Sequence, residues 1–493
     1  MPRRTASPPF PECRAGGKKP SPAALRASRP ARQTAGRLPL VSPWPRGEGL
    51  FPPLHAEARL ALERLPDALR AVWPLNAAHR RSLPGDVAAL SRLLTAERRD
   101  LRRPYWSSPS FVSAYLYYFL PWNLVRLTRL LAALPLPDPR ELAPAGGEAL
   151  LLDAGSGPLS LPLALWLARP QWREAPVRVL ALDSAAQPLE LGKALFAAWG
   201  ARLGWKTWPV RTARGPLESL PRQAAPLLVG KEGARRRPWL ITAANVLNEL
   251  RPERKSAGGR RPREECAGDE EGAEAAWRGP LTERLDRLLD ALAPLLFRQN
   301  DAEPAHAAAD GRALPGLLFV EPGTRLGGTV VMRLRELALA GGLAALAPCP
   351  HSGACPLLAG QGGRTWCHFT FDSRDAPDWL ARLSNEAGLV KSGLSLAPLL
   401  LGAAAERQAP PAVAPGGEKT LSARVLSAAF AASGLYGRAR YACTAEGLAL
   451  LEDAEALASG DHLPVRLPPD APRDAKSRAR IIRRPGARAG AKP

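Results

Sequence analysis

Four cysteines in the C-terminal third have the spacing C-x5-C-x11-C-x75-C. The first three lie in a loop rich in Gly and Pro, where a bound metal would supply the order that apolar contacts do not. Four thiolates suit Zn²⁺ or an iron–sulfur cluster. Structural zinc sites usually separate paired cysteines by about two to four residues, so this spacing favours a [4Fe–4S] cluster over zinc, and four unligated thiols remain an alternative. The candidate metal ligands are Cys349, Cys355, Cys367 and Cys443.

The other histidines and cysteines add little to this pattern. His351 and His368 lie in the same loop and could replace a cysteine ligand, although solvent exposure or hydrogen bonds to the loop explain them equally well. Cys13 and Cys266 lie in segments whose composition predicts disorder, so they are poor ligands. Six cysteines in 493 residues do not form a disulfide scaffold, which favours a reducing compartment.

A glycine-rich turn after an apolar run is the second chemical feature. Residues 153–157 read DAGSG, and their glycines allow a sharp turn and close approach to a ligand. The helix that follows would offer unpaired N–H groups. Asp183 ends the next apolar run and could accept the hydroxyl protons of a ribose. NAD and S-adenosylmethionine sites both use this arrangement, and a turn that binds nothing is the alternative; the third glycine of the dinucleotide pattern is absent, because Ser160 occupies its position.

The segment 241–250 reads ITAANVLNEL; in S-adenosylmethionine-dependent methyltransferases the corresponding strand end faces the group that accepts the methyl. Asn245 could contact the cofactor or the acceptor, or it could cap the next helix. The Asn/Asp-Pro-Pro-aromatic turn of amino-group methylases is absent here, as is the nucleophilic cysteine of RNA cytosine methylases. The sequence therefore identifies no catalytic residue.

The periodicity of apolar residues predicts the elements that carry these sites. Apolar runs at 149–153, 177–183, 239–244 and 316–321 alternate with helical patterns at 159–168, 188–202, 281–297 and 328–340. This alternation predicts βαβ units and a doubly wound, mostly parallel sheet, with ligands at the carboxyl ends of the strands. The fold class is α/β and Rossmann-like.

Residues 110–134 predict an aromatic-rich helical pair, broken at Pro121. We expect its rings to fill a helical core, with a base-stacking platform as the alternative. The predicted organisation begins with a disordered basic tail (1–47) and a helical region (48–140). The Rossmann-like domain follows (141–345), with a disordered insertion at 251–279. The cysteine region with C-terminal strands (346–455) and a second disordered basic tail (471–493) complete the chain.

The net charge of +22 points toward a polyanionic partner, although a codon bias toward Arg would raise it as well. Most of this charge lies in the predicted tails: residues 1–47 carry +9 and residues 471–493 carry +7. The longest apolar stretches, such as 394–405, are too short to span a bilayer. The N-terminus has no secretory apolar core; its Arg-rich, acid-poor composition faintly resembles a transit peptide.

These features together resemble the methyltransferase-like assembly factors of the mitochondrial small ribosomal subunit and their bacterial relatives. The resemblance covers about residues 55–455 and rests on the segments LLDAGSGP, VLALDSAAQPLELGKAL, ITAANVLNEL, LLFVEPGTRLGG, APCPHSGACPL, WCHF and ARVLSAAFAASGLYGRARYACTAEG. It departs from the methyltransferase pattern at the third glycine, where this chain has Leu159.

The resemblance implies a class I methyltransferase fold of the S-adenosylmethionine type with an inserted [4Fe–4S] cluster held by the four cysteines. The predicted cofactor contacts are Asp153, Gly155, Ser156, Gly157, Asp183 and Asn245. It also implies a monomer that binds small-subunit rRNA and pre-ribosomal particles, and no membrane. An active rRNA methyltransferase and a small-molecule methyltransferase are the alternatives. The expected location is the bacterial cytoplasm, with the mitochondrial matrix as the alternative.

Overall fold

The computed structural model describes residues 44–45, 47–95, 105–143, 147–229, 236–247, 270–296, 315–359, 366–403 and 419–484. Most of the predicted tail 1–47 and residues 251–269 of the predicted insertion lie outside these ranges. The rest of that insertion, from residue 270, is helical, so the prediction of disorder is wrong there. Within the described ranges, no helix has the length and apolar character needed to cross a membrane.

The N-terminal region is helical, as its periodicity predicts, and consists of α1 (Ala56–Val72), α2 (Ala77–Leu94), α3 (Pro109–Ala114), α4 (Leu120–Ala133) and α5 (Pro139–Leu142). The predicted break at Pro121 is wrong. A π-helical segment, Tyr115–Phe119, joins α3 directly to α4. Pro121 lies in the first turn of α4, where its missing N–H and the widened turn before it allow the chain to stay helical.

The main sheet has the strands β1 (Ala149–Ala154), β2 (Val177–Asp183), β3 (Val210–Arg214), β4 (Leu240–Ala244), β5 (Pro315–Pro322), β6 (Leu343–Ala347), β7 (Phe369–Asp372) and β8 (Gly393–Ala403). Four of these lie at the predicted apolar runs. The order is β3-β2-β1-β4-β5-β8-β6, with β7 also paired to β8. The first five strands are parallel, and β8 is antiparallel to β5, β6 and β7. The sheet is therefore mixed.

Helices cover both faces of this sheet and are α6 (Ser160–Ala168), α7 (Ala186–Leu203), α8 (Leu220–Leu228), α9 (Glu270–Leu292), α10 (Arg325–Ala340), α11 (Pro356–Ala359) and α12 (Asp378–Glu386). Alternate residues of β1 enter different cores: Leu151 packs with the N-terminal helices, whereas Leu150 and Leu152 pack with α8, α9 and α10. This is the doubly wound arrangement that the sequence predicts, and its strand order reverses between β1 and β4, where such sheets bind ligands.

The sheet continues past the predicted domain boundary at residue 345. Strand β8 comes late in the chain but lies between β5 and β6, so the segment after 345 completes the Rossmann-like sheet. The cysteine loop is the connection between β6 and β7, which places it against this sheet.

A second sheet is built by β9 (Lys419–Val425), β10 (Phe430–Ala431), β11 (Arg438–Thr444), β12 (Gly447–Leu451), β13 (His462–Leu467) and β14 (Arg480–Ile482). The predicted disordered tail from residue 471 is wrong for residues 471–484. Strand β14 pairs in parallel with β12, and Ile482 is buried. The basic composition of this segment predicts disorder, although it contains a short apolar strand. Burial of that strand offsets the conformational entropy lost when the neighbouring arginines become ordered.

Candidate functional site

The glycine turn lies directly after β1, at the reversal of strand order. Gly155 and Gly157 have φ angles of +67° and +52°, which residues with a side chain rarely adopt. A Cβ on Gly155 would lie 2.6 Å from a Cγ of Val246, whereas a Cβ on Gly157 would meet no atom within 4 Å. The close contact with the loop after β4 therefore requires glycine at 155. Gly157 borders open space that a ligand can enter.

Asp153, in β1 directly before this turn, is almost completely buried. Its carboxylate accepts hydrogen bonds from the hydroxyls of Ser156 and of Thr242, the latter at 2.5 Å. Burial raises the pKa of Asp153 from 3.8 to about 7, against the opposing effect of these two hydrogen bonds. The predicted contacts Asp153 and Ser156 thus bind each other and shape the turn.

Asp183 connects the end of β2 to the same turn. Its Oδ2 accepts the N–H of Gly157 at 2.9 Å, and its Oδ1 accepts the N–H of Ala185 at 2.9 Å. The side chain is partly exposed, so each oxygen retains acceptor capacity for a further donor. The acid that the sequence analysis singled out therefore lies beside the glycine turn, hydrogen-bonded to Gly157.

Leu159 occupies the position at which the methyltransferase pattern has its third glycine. Its φ is +62°, the left-handed conformation that glycine adopts without cost, and its side chain is fully buried. A Cβ on Gly192 of α7 would lie 2.5 Å from the carbonyl carbon of Pro158 and 2.8 Å from Leu159 Cγ. The backbone thus keeps the turn of the pattern, and glycine at 192 provides the room that the leucine needs.

Asn245 lies at the end of β4, opposite the glycine turn. It also has a left-handed backbone, with φ +59°, and its N–H donates to Val320 O at 2.8 Å. Its side-chain oxygen is buried and has no hydrogen-bond partner in the described part of the chain. A ligand donor in the crevice would satisfy it. The alternative role, capping the next helix, concerns residues from 248, which lie outside the described ranges.

Glu321 at the end of β5 is a site residue that sequence reasoning missed. It is fully buried, and its Oε1 accepts the N–H groups of Val246 and Leu247 at 2.9 and 2.8 Å. It fixes the loop that carries Asn245. The signal was available, because the apolar run 316–321 ends in an acid, as the runs before Asp153 and Asp183 do.

A single pocket is lined by all four cysteines. Cys349 and Cys355 lie between β6 and α11, Cys367 precedes β7, and Cys443 lies in β11 of the second sheet. The fold thus brings together thiols that are up to 94 positions apart in the chain. This pocket joins the cysteine loop to the second sheet.

Two consecutive residues of α10 hold the cysteine loop. Arg335 donates from Nε to Cys349 Sγ at 3.0 Å and from Nη2 to the carbonyl oxygens of His351 and Gly353 at 2.9 and 2.8 Å. Glu336 accepts the N–H of Cys355 at 3.1 Å. Neither residue was singled out in the sequence, because only the fold places α10 beside the loop.

A second arginine lines the cysteine pocket. Arg424 of β9 is the cross-strand partner of Cys443 and donates to Pro348 O at 2.9 Å and to Gly460 O at 2.7 Å. Burial lowers the pKa of Arg424 to about 10, so it remains a cation at neutral pH. His351 Nε2 lies 3.5 Å from Cys443 Sγ, close enough for a hydrogen bond to sulfur.

Burial raises the pKa of all four thiols, most for Cys367 and Cys443. Thiolates are therefore disfavoured at neutral pH unless a metal stabilises them. Among the described residues, no three His, Cys, Asp or Glu side chains are placed so that one metal ion could bind them all. The four sulfurs share a pocket without the close grouping that a single tetrahedral ion needs.

The family described as mitochondrial small ribosomal subunit Rsm22 matches residues 296–388. This match confirms the predicted resemblance over that segment, which includes Arg335 and three of the four cysteines. No curated protein sequence matches this chain.

Among solved structures, an S-adenosylmethionine-dependent methyltransferase from Agrobacterium tumefaciens is 13% identical, with a TM-score of 0.25 over 57% of this chain and 62% of its own. An arsenic(III) S-adenosylmethionine methyltransferase from Chlamydomonas reinhardtii is 14% identical, with a TM-score of 0.22 over 62% and 83%. An uncharacterized protein from Burkholderia thailandensis is 12% identical, with a TM-score of 0.29 over 71% and 95%. The chain spans 45% and 62% of the first two structures it matches. These TM-scores carry no argument about the fold, so the α/β assignment depends on the strand order of the main sheet.

Proposed function

We propose that this chain is a methyltransferase-like factor that binds small-subunit rRNA during ribosome assembly. The observation that carries the proposal is the match to the small-subunit family over 296–388, in the segment whose three cysteines meet Cys443 in one pocket. The family's mitochondrial description favours the mitochondrial matrix over the bacterial cytoplasm as the location. The basic charge of residues 1–47 would add affinity for phosphate without reading sequence.

The test is association with ribosomal particles. Tagged full-length protein should co-sediment with immature small subunits, and sequencing of the RNA that it retains should recover small-subunit rRNA above other abundant RNAs. Recovery in proportion to cellular RNA abundance, or no association even at low salt, would refute the proposal.

The crevice between β1 and β4 fits S-adenosylmethionine. Gly157 borders open space, Asp183 retains acceptor capacity for ribose hydroxyls, and the oxygen of Asn245 lacks a partner in the described ranges. The cofactor, when bound, supplies an electrophilic methyl group. Calorimetric binding of S-adenosylmethionine that is lost in Gly157→Val, but kept in a variant with a distant glycine in open space such as Gly85→Val, supports this site.

An active rRNA methyltransferase is the second candidate, because Asn245, at the strand end where an acceptor would bind, has a buried side-chain oxygen without a hydrogen-bond partner in the described part of the chain. Residues of this chain would then position the donor and the acceptor for direct transfer. Transfer of a labelled methyl group to immature small subunits, abolished by Asp183→Ala, favours this candidate. Binding of particles without any transfer favours the factor that has lost its activity.

We propose that the four cysteines of this pocket hold a [4Fe–4S] cluster and not zinc. Each thiolate of such a cluster binds its own iron, which needs less crowding of the sulfurs than one tetrahedral ion does. Arg335 and Arg424 place two cations beside the thiols, and these would compensate the negative charge of a thiolate-bound cluster. Brown, anaerobically purified protein that contains iron and sulfide supports the cluster. A colourless protein with one zinc per chain would refute it.

A further inference from the structure

Three aromatic rings near the π-helical segment form a stack at the protein surface. The ring centroids of Tyr105 and Tyr115 lie 5.7 Å apart at an interplanar angle of 16°, and those of Tyr115 and Phe119 lie 5.9 Å apart at 29°. All three rings are partly exposed and pack on the helical core with their other side. We call these three residues the aromatic ladder. The predicted helical core is present beneath it, where Tyr118 and Trp122 are buried.

Two cations contact residues that adjoin this ladder in the same helical run. Arg126 of α4 donates to Asn123 and, at 3.5 Å, to Ser395 O, while its Nε is buried without a partner in the described part of the chain. Lys391 is exposed, and its Nζ lies 5.9 Å from the ring centres of both Tyr118 and Trp122. Neither cation forms a salt bridge with a described residue. The ring of Tyr118, beside which Lys391 lies, is 5.1 Å from the ring of Phe119. Within the described part of the chain, two positive charges therefore lie near the stacked rings with no carboxylate paired to them.

The position of these groups in the fold connects them to the candidate cofactor site. Ser395 precedes Leu396, which pairs with Pro322, the last residue of β5. Arg126 thus lies at the carboxyl end of β5. The glycine turn follows the carboxyl end of β1, which is on the same edge of the sheet. A ligand that reaches Arg126 would lie at the edge of the sheet that holds the crevice between β1 and β4.

We propose that the aromatic ladder, with Arg126 and Lys391, binds single-stranded RNA beside the cofactor crevice. Bases stack on partly exposed rings, and backbone phosphates pair with the two cations. A duplex hides the faces of its bases, so only an unpaired strand can use both features. This inference rests on the proposed function and names the form of RNA that the factor contacts. The ladder would hold a base near the site where a methyl donor fits.

The test compares conservative variants in the full chain. Tyr115→Leu and Phe119→Leu keep an apolar side chain but remove a stacking face, and Phe111→Leu is the matched control, because Phe111 is partly buried in the same helical run outside the ladder. Lys391→Gln removes the exposed cation, with Lys193→Gln on the exposed surface of α7 as its control. The probes are a labelled adenosine oligonucleotide of about 12 nucleotides and an RNA duplex of the same length.

We expect Tyr115→Leu and Phe119→Leu each to weaken binding of the single strand about fivefold or more, as loss of one base stack does. Binding of the duplex, which the basic N-terminal region supports, should change less than about twofold, and so should every measurement on Phe111→Leu. Lys391→Gln should lower the slope of log affinity against log salt by about one. Unfolding midpoints measured on each variant show whether the fold is kept.

Equal affinities of the wild type, the ladder variants and Phe111→Leu for the single strand would overturn the inference, and so would an unchanged salt slope in Lys391→Gln. If the wild type still associates with immature small subunits in that case, the proposed function survives and only the ladder assignment fails. A wild type that binds neither RNA nor particles overturns both.

Discussion

The two glycines of the turn after β1 give a sharp prediction, because they share a backbone conformation but differ in surroundings. Replacing either by alanine imposes a left-handed conformation on a residue with a side chain, at a cost of about 1–2 kcal/mol. At Gly155 the new Cβ also meets Val246 at 2.6 and 2.9 Å, and such overpacking costs a further 1–3 kcal/mol or so. At Gly157 the new Cβ meets nothing within 4 Å.

We therefore expect Gly155→Ala to lower the free energy of unfolding by about 2–5 kcal/mol and Gly157→Ala by about 1–2 kcal/mol. Effects of alanine on the unfolded chain are the same in both variants, so they cancel in the comparison. The measurement is urea unfolding followed by tryptophan fluorescence, with the dependence on urea concentration checked for equality among the variants.

A second variant identifies the origin of the difference. Val246→Ala removes the methyl group that lies closest to the new Cβ, so in the Gly155→Ala background it should be less destabilising than in the wild type, with a coupling energy of about 1 kcal/mol. Equal losses for Gly155→Ala and Gly157→Ala, or a coupling energy of zero, would show that the turn does not pack against the loop after β4 as described.

Three further predictions concern Asp153, two leucines near the glycine turn, and Cys349. The pKa of Asp153 is raised from 3.8 to about 7 in the folded protein. Its contribution to the free energy of unfolding is therefore complete below about pH 4 and is lost as the pH rises through about 7. In Asp153→Asn, unfolding measured as a function of pH should no longer show this loss. Leu163→Gly should lower the free energy of unfolding in urea by about 2 kcal/mol more than Leu159→Gly does. Glycine weakens the helix interior at 163, whereas at 159 it relieves the cost of the left-handed backbone. Equal decreases for the two variants would show that Leu159 is not strained. If the proposed cluster is bound, its binding contributes free energy of folding, so Cys349→Ser should expose the C-terminal third to limited proteolysis and Cys266→Ser should not. Unchanged resistance of Cys349→Ser would count against a bound metal.

Local patterns in the sequence predict the elements that carry the glycine turn. Apolar runs ending in Asp153 and Asp183 indicate parallel strands, because side chains buried on both faces must be apolar until the strand reaches the edge of the sheet. The same rule would have identified Glu321. The type and spacing of the four cysteines predict an iron–sulfur or zinc site, with four unligated thiols as the alternative, and that remains a prediction.

Tertiary structure decides the features that depend on distant segments. Strand β8 enters the sheet between β5 and β6, and residues 480–482 join a second sheet, although their neighbours in sequence are basic. Pairing between strands far apart in the chain leaves no local signature, because register and partner depend on what the whole sheet buries.

The same limit applies to the candidate sites. Residue type alone marks Asn245 and Cys443 as candidates, but only the fold places Asn245 opposite the glycine turn and Cys443 beside Arg424 and the cysteine loop. The charge of +22 was the first indication of a polyanionic partner, and it says nothing about where a strand would bind. The stacked rings, and the two cations near them that pair with no carboxylate in the described part of the chain, become visible only when separate segments pack together, because stacking and charge pairing depend on distances in space and not on separation in sequence.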